Sequence, residues 1–140
     1  MIAPSTDKHT LDQRRAAHAW EAVTSMTKQI KQQPDKAKAF RGQAKKLPMR
    51  IMAAGLGHGL AFVREKGKAP ELLSQIGDWV LNKSRNRDSV APRPGESALL
   101  KTIIEKDALF LRRATDEVLA YLLWLNRFAA IELPDADDDD

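Results

Sequence analysis

The chain has 140 residues, 30% of them charged, and no cysteine; that is about one domain, without disulfides or thiolate metal sites, and a reducing cytoplasm is its expected home. The start, MIAPSTDK, lacks the basic and apolar regions of a signal peptide, and the longest run without a formal charge, Ile51 to Val63, has 13 residues, too few for the roughly 20 of a membrane helix. The net charge of +4 understates how basic the body is, because five aspartates crowd the last six positions; without them 23 Lys and Arg face 14 Asp and Glu, a net +9.

In chain order, residues 1–9 are expected to be flexible. Thr10 followed by Gln13 forms a capping box. A first helix follows, with Ala16, Ala19, Trp20, Val23, Thr27 and Ile30 inward, ending before Pro34. The second begins at Asp35 with Ala37, Phe40, Ala44 and Leu47 inward. Pro48 stops it or marks the first turn of a third, because proline removes a helical donor and restricts the residue before it. That third helix buries Met49, Met52, Ala53, Leu56, Leu60 and Val63 and ends near Gly67. Pro70 opens a fourth, with Leu72, Leu73, Ile76, Trp79 and Val80 inward. SRNRDSVAPRPG, from Ser84 to Gly95, reads as a basic loop. A short fifth helix runs from Ser97 through Ile103 and Ile104, and Asp107 separates it from the last.

Residues 108–133 are apolar nearly all the way round, except near Arg112, Arg113, Asp116 and Glu117, where Arg113 and Glu117 are spaced to pair. At 1.5 Å per residue this element is roughly 39 Å long, the span of a small domain. No strand alternation appears. The expected fold is all-α: one bundle of about six helices over 10–133 with a long central C-terminal helix. Residues 134–140 read as a disordered acidic tail, serving solubility or competing with an anionic partner for the basic body.

Catalytic and metal readings fail on the residues. Gly55-Leu56-Gly57-His58-Gly59-Leu60 lacks the last glycine of a dinucleotide fingerprint and follows no strand; Gly55 and Gly59, four apart, read as one helix face that lets a neighbour approach. His9, His18 and His58 lie on separate elements without a carboxylate or second histidine at metal-ligand spacing, and read as surface or packing residues. No enzyme, metal or cofactor is expected.

The densest positive segment, Lys28 to Arg50, holds eight Lys and Arg against Asp35 alone. Lys38, Arg41 and Lys45 share one helix face, spaced for phosphates rather than bases. The same pattern also describes an ordinary solvated face.

Three windows carry a resemblance. Thr10-Leu11-Asp12-Gln13-Arg14-Arg15 with Ala19-Trp20 resembles T-L-E-Q-R-R followed by A-Y. Lys45-Lys46-Leu47-Pro48 with Gly55-Leu56 and Leu60-Ala61-Phe62 resembles K-K-x-P, N-G-L and L-A-F. Ala114-Thr115-Asp116-Glu117 through Ala120, Leu122, Trp124-Leu125 and Arg127-Phe128-Ala129 resembles A-T-x-E-A-x-A-L-L-N-W-x-x-R-F-A. In order and spacing these are similar to the small all-helical subunit of the type III-B (Cmr, RAMP-module) CRISPR effector complex; residues 70–105 carry little of the match. Two asparagines of the pattern are Ala54 and Leu123 here. Both changes are expected to remove a polar group from apolar surroundings, at little cost if the two asparagines normally bond each other.

The resemblance implies a non-catalytic bundle within a guide-RNA ribonucleoprotein of antiviral RNA interference. Its copies stack head to tail beside the filament of RAMP-fold backbone subunits and help hold target RNA on the CRISPR RNA, while a backbone subunit cleaves. Arg14, Arg15, Lys45 and Lys46 lie in matched windows and are carried over as RNA-contacting; Lys38, Arg41 and Arg50 complete the candidate set. Two alternatives remain open: a protein spacer in the same complex without RNA contact, and an unrelated helical DNA-binding protein, for which a compact recognition helix after a glycine turn is missing.

Overall fold

A computed structural model of the chain describes residues 8–135. Its order is α1 (Leu11–Thr27), α2 (Pro34–Ala54), α3 (Leu56–Lys66), α4 (Pro70–Asp78), a π-helical turn Trp79–Lys83 continuing α4, α5 (Ala98–Glu105) and α6 (Ala108–Glu132). There is no strand among the described residues, in keeping with the all-α reading. Most of the two expected terminal segments, 1–9 and 134–140, lies outside the described residues.

Local chemistry sets most helix ends. Gln13 N–H donates to Thr10 Oγ1 at 3.0 Å and Thr10 N–H to Gln13 Oε1 at 2.7 Å, the reciprocal cap that starts α1. Pro34 and Pro70 open α2 and α4, where a missing N–H costs nothing. Asp107 caps α6 by accepting from Phe110 N–H at 3.0 Å.

The exception is Pro48. It neither stops α2 nor starts α3; it lies inside α2, which runs six residues further. An interior proline strands the carbonyl four residues earlier, here that of Ala44. Asn126 of α6 supplies the missing donor, its Nδ2 bonding Ala44 O at 2.9 Å. A tertiary hydrogen bond thus offsets the local penalty, and the helices part at Gly55 instead. There φ is +96°, open to glycine and strained for other residues. Gly55 therefore provides conformation rather than a packing face. Close approach belongs to Gly59, where an added Cβ would sit 3.0 Å from Ile51 Cγ1.

Helix α6 lies along α1 and α2. Between them the core holds Val23, Phe40, Leu47, Trp79, Val118 and Tyr121, each at most 1% exposed. All five inward positions predicted for α4 and the turn after it are buried. Because α2 passes through Pro48, Met49 and Met52 ride on its last turns and are exposed rather than buried. Trp20, expected inward, is half exposed and closes the α1–α6 seam edge-on against Phe128 at 5.2 Å. On α6, Leu123 and Ile131 face outward at 68% and 70% exposure. Leu123, Leu119 and Ala130 join Pro48 and Met52 in lining a shallow apolar groove. Ala54 is likewise exposed, so the two departures from the family pattern sit at the surface and not in apolar surroundings as expected.

Candidate nucleic-acid interface

The seven sequence-predicted cations fall in three places. Lys38, Arg41 and Lys45 follow one another along the outer side of α2, as their spacing requires. Lys45 is exposed and Lys38 partly so. Arg41 is engaged: Nη1 donates to Leu133 O at 2.8 Å and Nη2 pairs with Asp135 Oδ1 at 2.9 Å. It satisfies a carbonyl left over at the end of α6 and holds the first aspartate of the acidic segment. That single contact is what the described residues show of the tail.

Lys46 is half-buried one turn before Arg50 on α2, and Arg50 turns toward α3. Arg50 Nη1 donates to Gln43 Oε1 at 2.8 Å, and its Cζ lies 4.0 Å from the centroid of the Phe62 ring. Lys66 Nζ lies 5.6 Å from the same centroid. Phe62 is 40% exposed, and His58, one turn earlier on α3, is exposed as well. The sequence reads His58 as a surface or packing residue, in keeping with its exposure, and does not place Phe62 or Lys66 in the candidate set. Their signal is an i, i+4, i+8 stripe on α3, legible only once α3 is known to begin at Leu56.

Arg14 and Arg15 lie elsewhere, in the seam between α1, α4 and α6. Arg15 forks onto Glu117 through Nε to Oε2 and Nη2 to Oε1, the latter at 3.0 Å, and its Nη1 reaches Asp12 Oδ1 at 3.0 Å. Glu117 therefore pairs across the bundle and not with Arg113. Trp79 Nε1 donates to Glu117 Oε2 at 2.8 Å, and Trp124 Nε1 to Asp12 Oδ1 at 3.1 Å. Burial alone would push the Glu117 carboxyl up; the hydrogen bonds from Arg15 and Trp79 outweigh it and hold it below the usual range. The Trp124 bond, then the Arg15 bond, hold Asp12 down as well. Arg14 donates to the Lys83 carbonyl at 2.5 Å and lies 5.9 Å from the Trp79 ring centroid. Both arginines tie helices together.

Deeper in the same seam His18 bridges two helices. Nε2 meets Asp78 Oδ2 at 2.8 Å and Nδ1 meets Tyr121 Oη at 2.7 Å. Burial, with Asp78 and Glu21 nearby, pushes the Tyr121 hydroxyl well above its ordinary value, so it stays neutral. The carboxylate absent at sequence spacing is present in space, and the hydroxyl on the other ring nitrogen belongs to Tyr121, which is fully buried. His18 is a packing residue with a satisfied ring. Among the described residues no three histidine or acidic side chains could hold a metal ion, and no helix is long and apolar enough to cross a membrane.

This architecture has counterparts. The model of a protein family described as "CRISPR-associated protein (Cas_Cmr5)" matches residues 11–132. The fold is similar to the crystal structure of a CRISPR-associated Cmr5 family protein from Thermus thermophilus, with a TM-score of 0.68 and 26% identity, covering 90% of this chain and 100% of that one. The matched segment runs from the first residue of α1 to the last of α6.

Proposed function

We propose that this chain, which belongs to the Cmr5 family of small subunits of the type III-B Cmr CRISPR complex, works there without catalysis, gripping the phosphate backbone of target RNA paired with CRISPR RNA through the cationic sides of α2 and α3. Sequence is read by base pairing, and the protein supplies charge and shape, a division of labour known from other guided effectors. The observation that carries this reading is the imbalance on α2. Its 21 residues include six Lys and Arg and one acid, Asp35. Lys36 reaches across to α4, with Nζ 3.7 Å from Glu71, while Lys38 and Lys45 point outward on a shared face.

The expected stacking of copies beside the RAMP-fold backbone subunits draws support from apolar surface on α5 and α6. Ile104 and Leu109 are exposed near its start, and Leu123 and Ile131 along its second half. Large exposed side chains of this kind are what a protein neighbour covers. A cytoplasmic setting goes with such a complex. A spacer role without RNA contact is favoured by one finding, that Arg14 and Arg15 are committed to internal bonds. They are therefore left out of the proposed grip, and Arg41 contributes chiefly by placing the C-terminal segment.

The test is a salt series of RNA binding, for the subunit alone and with the backbone subunit. Each phosphate contact adds roughly 0.7 to the log–log slope for single strands. A Lys38→Ala/Lys45→Ala variant is expected to lose affinity and flatten that slope by up to about 1.4. Equal affinity and slope for the two proteins would refute the grip and leave the spacer.

A further inference from the structure

We propose that the cleft between α1, α4 and the loop from Ser84 to Gly95 is a binding site for one guanine base. Its volume is about 290 Å³ and its walls include His18, Glu21, Ser25, Gln75, Lys83 and Arg93, which puts it at the small end of ligand sites. Gln75 is 8% exposed, yet its side-chain amide makes no hydrogen bond to the described residues, and the same holds for the Ser25 hydroxyl. A nearly buried amide without a partner is costly unless something else reaches it. Glu21 and Arg93 line the same cleft and pair neither with each other nor with any other described residue. An acid and a base that share a cleft without meeting leave room for a ligand between them.

The backbone that carries Arg93 is clamped on both sides. Ser74 Oγ donates to Pro94 O at 2.6 Å and Asn82 Nδ2 to Pro92 O at 3.4 Å, which ties the loop to α4 and to its π-helical turn. Pro94 lies so close to Gly77 that an added Cβ there would sit 3.2 Å from Pro94 Cγ. Asn82 Nδ2 also bonds Asp78 Oδ1 at 3.0 Å, and Asp78 in turn holds the His18 ring. With Tyr121 on its other nitrogen, that ring keeps one orientation, and histidine rings are among the surfaces on which bases stack. Groups fixed in advance lower the ordering cost of binding, and π-helical turns are frequent at functional sites.

Guanine matches this set of groups. Its O6 and N7 are acceptors that an arginine meets with two parallel bonds, and its N1–H and 2-amino group are donors that suit a carboxylate. Adenine carries a donor in place of O6 and lacks the 2-amino group. A phosphate alone would face the Glu21 carboxylate, and a cationic side chain of a protein partner would face Arg93 and Lys83. The site shares no residue with the cationic side of α2, so it stands or falls apart from the grip proposed there.

The test is equilibrium binding of guanosine, inosine and adenosine monophosphates to the full chain, as wild type and as the variants Glu21→Ala and Arg93→Lys, with circular dichroism to check folding. The three nucleotides share one phosphate, and inosine lacks only the 2-amino group of guanosine, so differences among them read the base. Wild type is expected to bind the guanosine nucleotide about fivefold or more tighter than either of the others. Glu21→Ala should lose the preference over inosine, and Arg93→Lys, which keeps the charge without the fork, the preference over adenosine. A short oligoadenylate with a single guanosine, compared with plain oligoadenylate, separates the two sources of the base. Tighter binding of the guanosine-bearing strand assigns the site to an unpaired base of RNA, and preference among the mononucleotides alone assigns it to a free nucleotide; either supports the site. Wild type that binds all three nucleotides alike, or none of them, overturns it, whatever the α2 lysines do with RNA. Variants that weaken all three equally would overturn the base-reading roles of Glu21 and Arg93 in favour of support for the loop.

Discussion

The α1–α6 seam and the outer side of α2 and α3 are built from the same residue types and differ in how near the opposing carboxylates lie in the fold. In the seam each basic side chain meets a partner: Arg15 has Glu117 and Asp12, Arg14 has the Lys83 carbonyl, and the His18 ring has Asp78. On α2 the only carboxylate is Asp35 in the first turn, so most of the charge is not answered within its own helix. A basic residue is thus structural or functional according to what the facing helix brings, and a run of like charge on one helix says only half of that.

The comparison is broken most severely by removing a carboxylate from the seam. Glu117→Ala leaves the Arg15 guanidinium and the Trp79 N–H without their shared acceptor. It is expected to cost about 2–3 kcal/mol in urea unfolding, while the salt slope of RNA binding stays that of wild type. A normal midpoint would mean the seam is ornamental. Acid should act the same way. Glu117 and Asp12 titrate lower in the folded protein than in the unfolded chain, so their stabilisation is fully present above the unfolded carboxylate range and lost as pH falls toward the folded values. Glu117→Gln is expected to flatten that acid limb in unfolding measured from about pH 6 downward.

Next in size is the bond that allows Pro48. Asn126→Ala strands the Ala44 carbonyl and is expected to cost about 1–2 kcal/mol. Adding Pro48→Ala restores a main-chain donor, so the double variant should recover most of the loss. Strict additivity would show that Asn126 acts by packing. The smallest effect is expected on the outer side, where Lys38→Ala/Lys45→Ala should move stability by less than about 0.5 kcal/mol. A larger change would make these lysines part of the fold's support, like Arg15.

Much of the fold was legible because its signals are local. Thr10 with Gln13, Pro70 and Asp107 each act within one turn, and the five inward positions from Leu72 to Val80 follow a period that no later contact disturbed. Pro48 was not legible, since the donor that rescues it arrives from Asn126, 82 positions beyond the carbonyl it bonds. Misplacing that boundary put Met49 and Met52 in the core and hid the Phe62 stripe. The site was less legible still. Arg15 finds Glu117 across 102 positions, and Arg50 meets Phe62 only after α2 and α3 fold back on each other at Gly55. The family windows located Arg14 and Arg15 as similar residues, but similarity of a window does not say whether a side chain faces a partner or a neighbouring helix.

Helix termini ordinarily fray, and the longest helix here should be no exception. The Arg41 clasp on Leu133 and Asp135 removes that freedom at one point and fixes where the polypeptide departs from the bundle. A label at position 135 would sit against Arg41, between Lys38 and Lys45 in the sequence of α2, and would report on that side first.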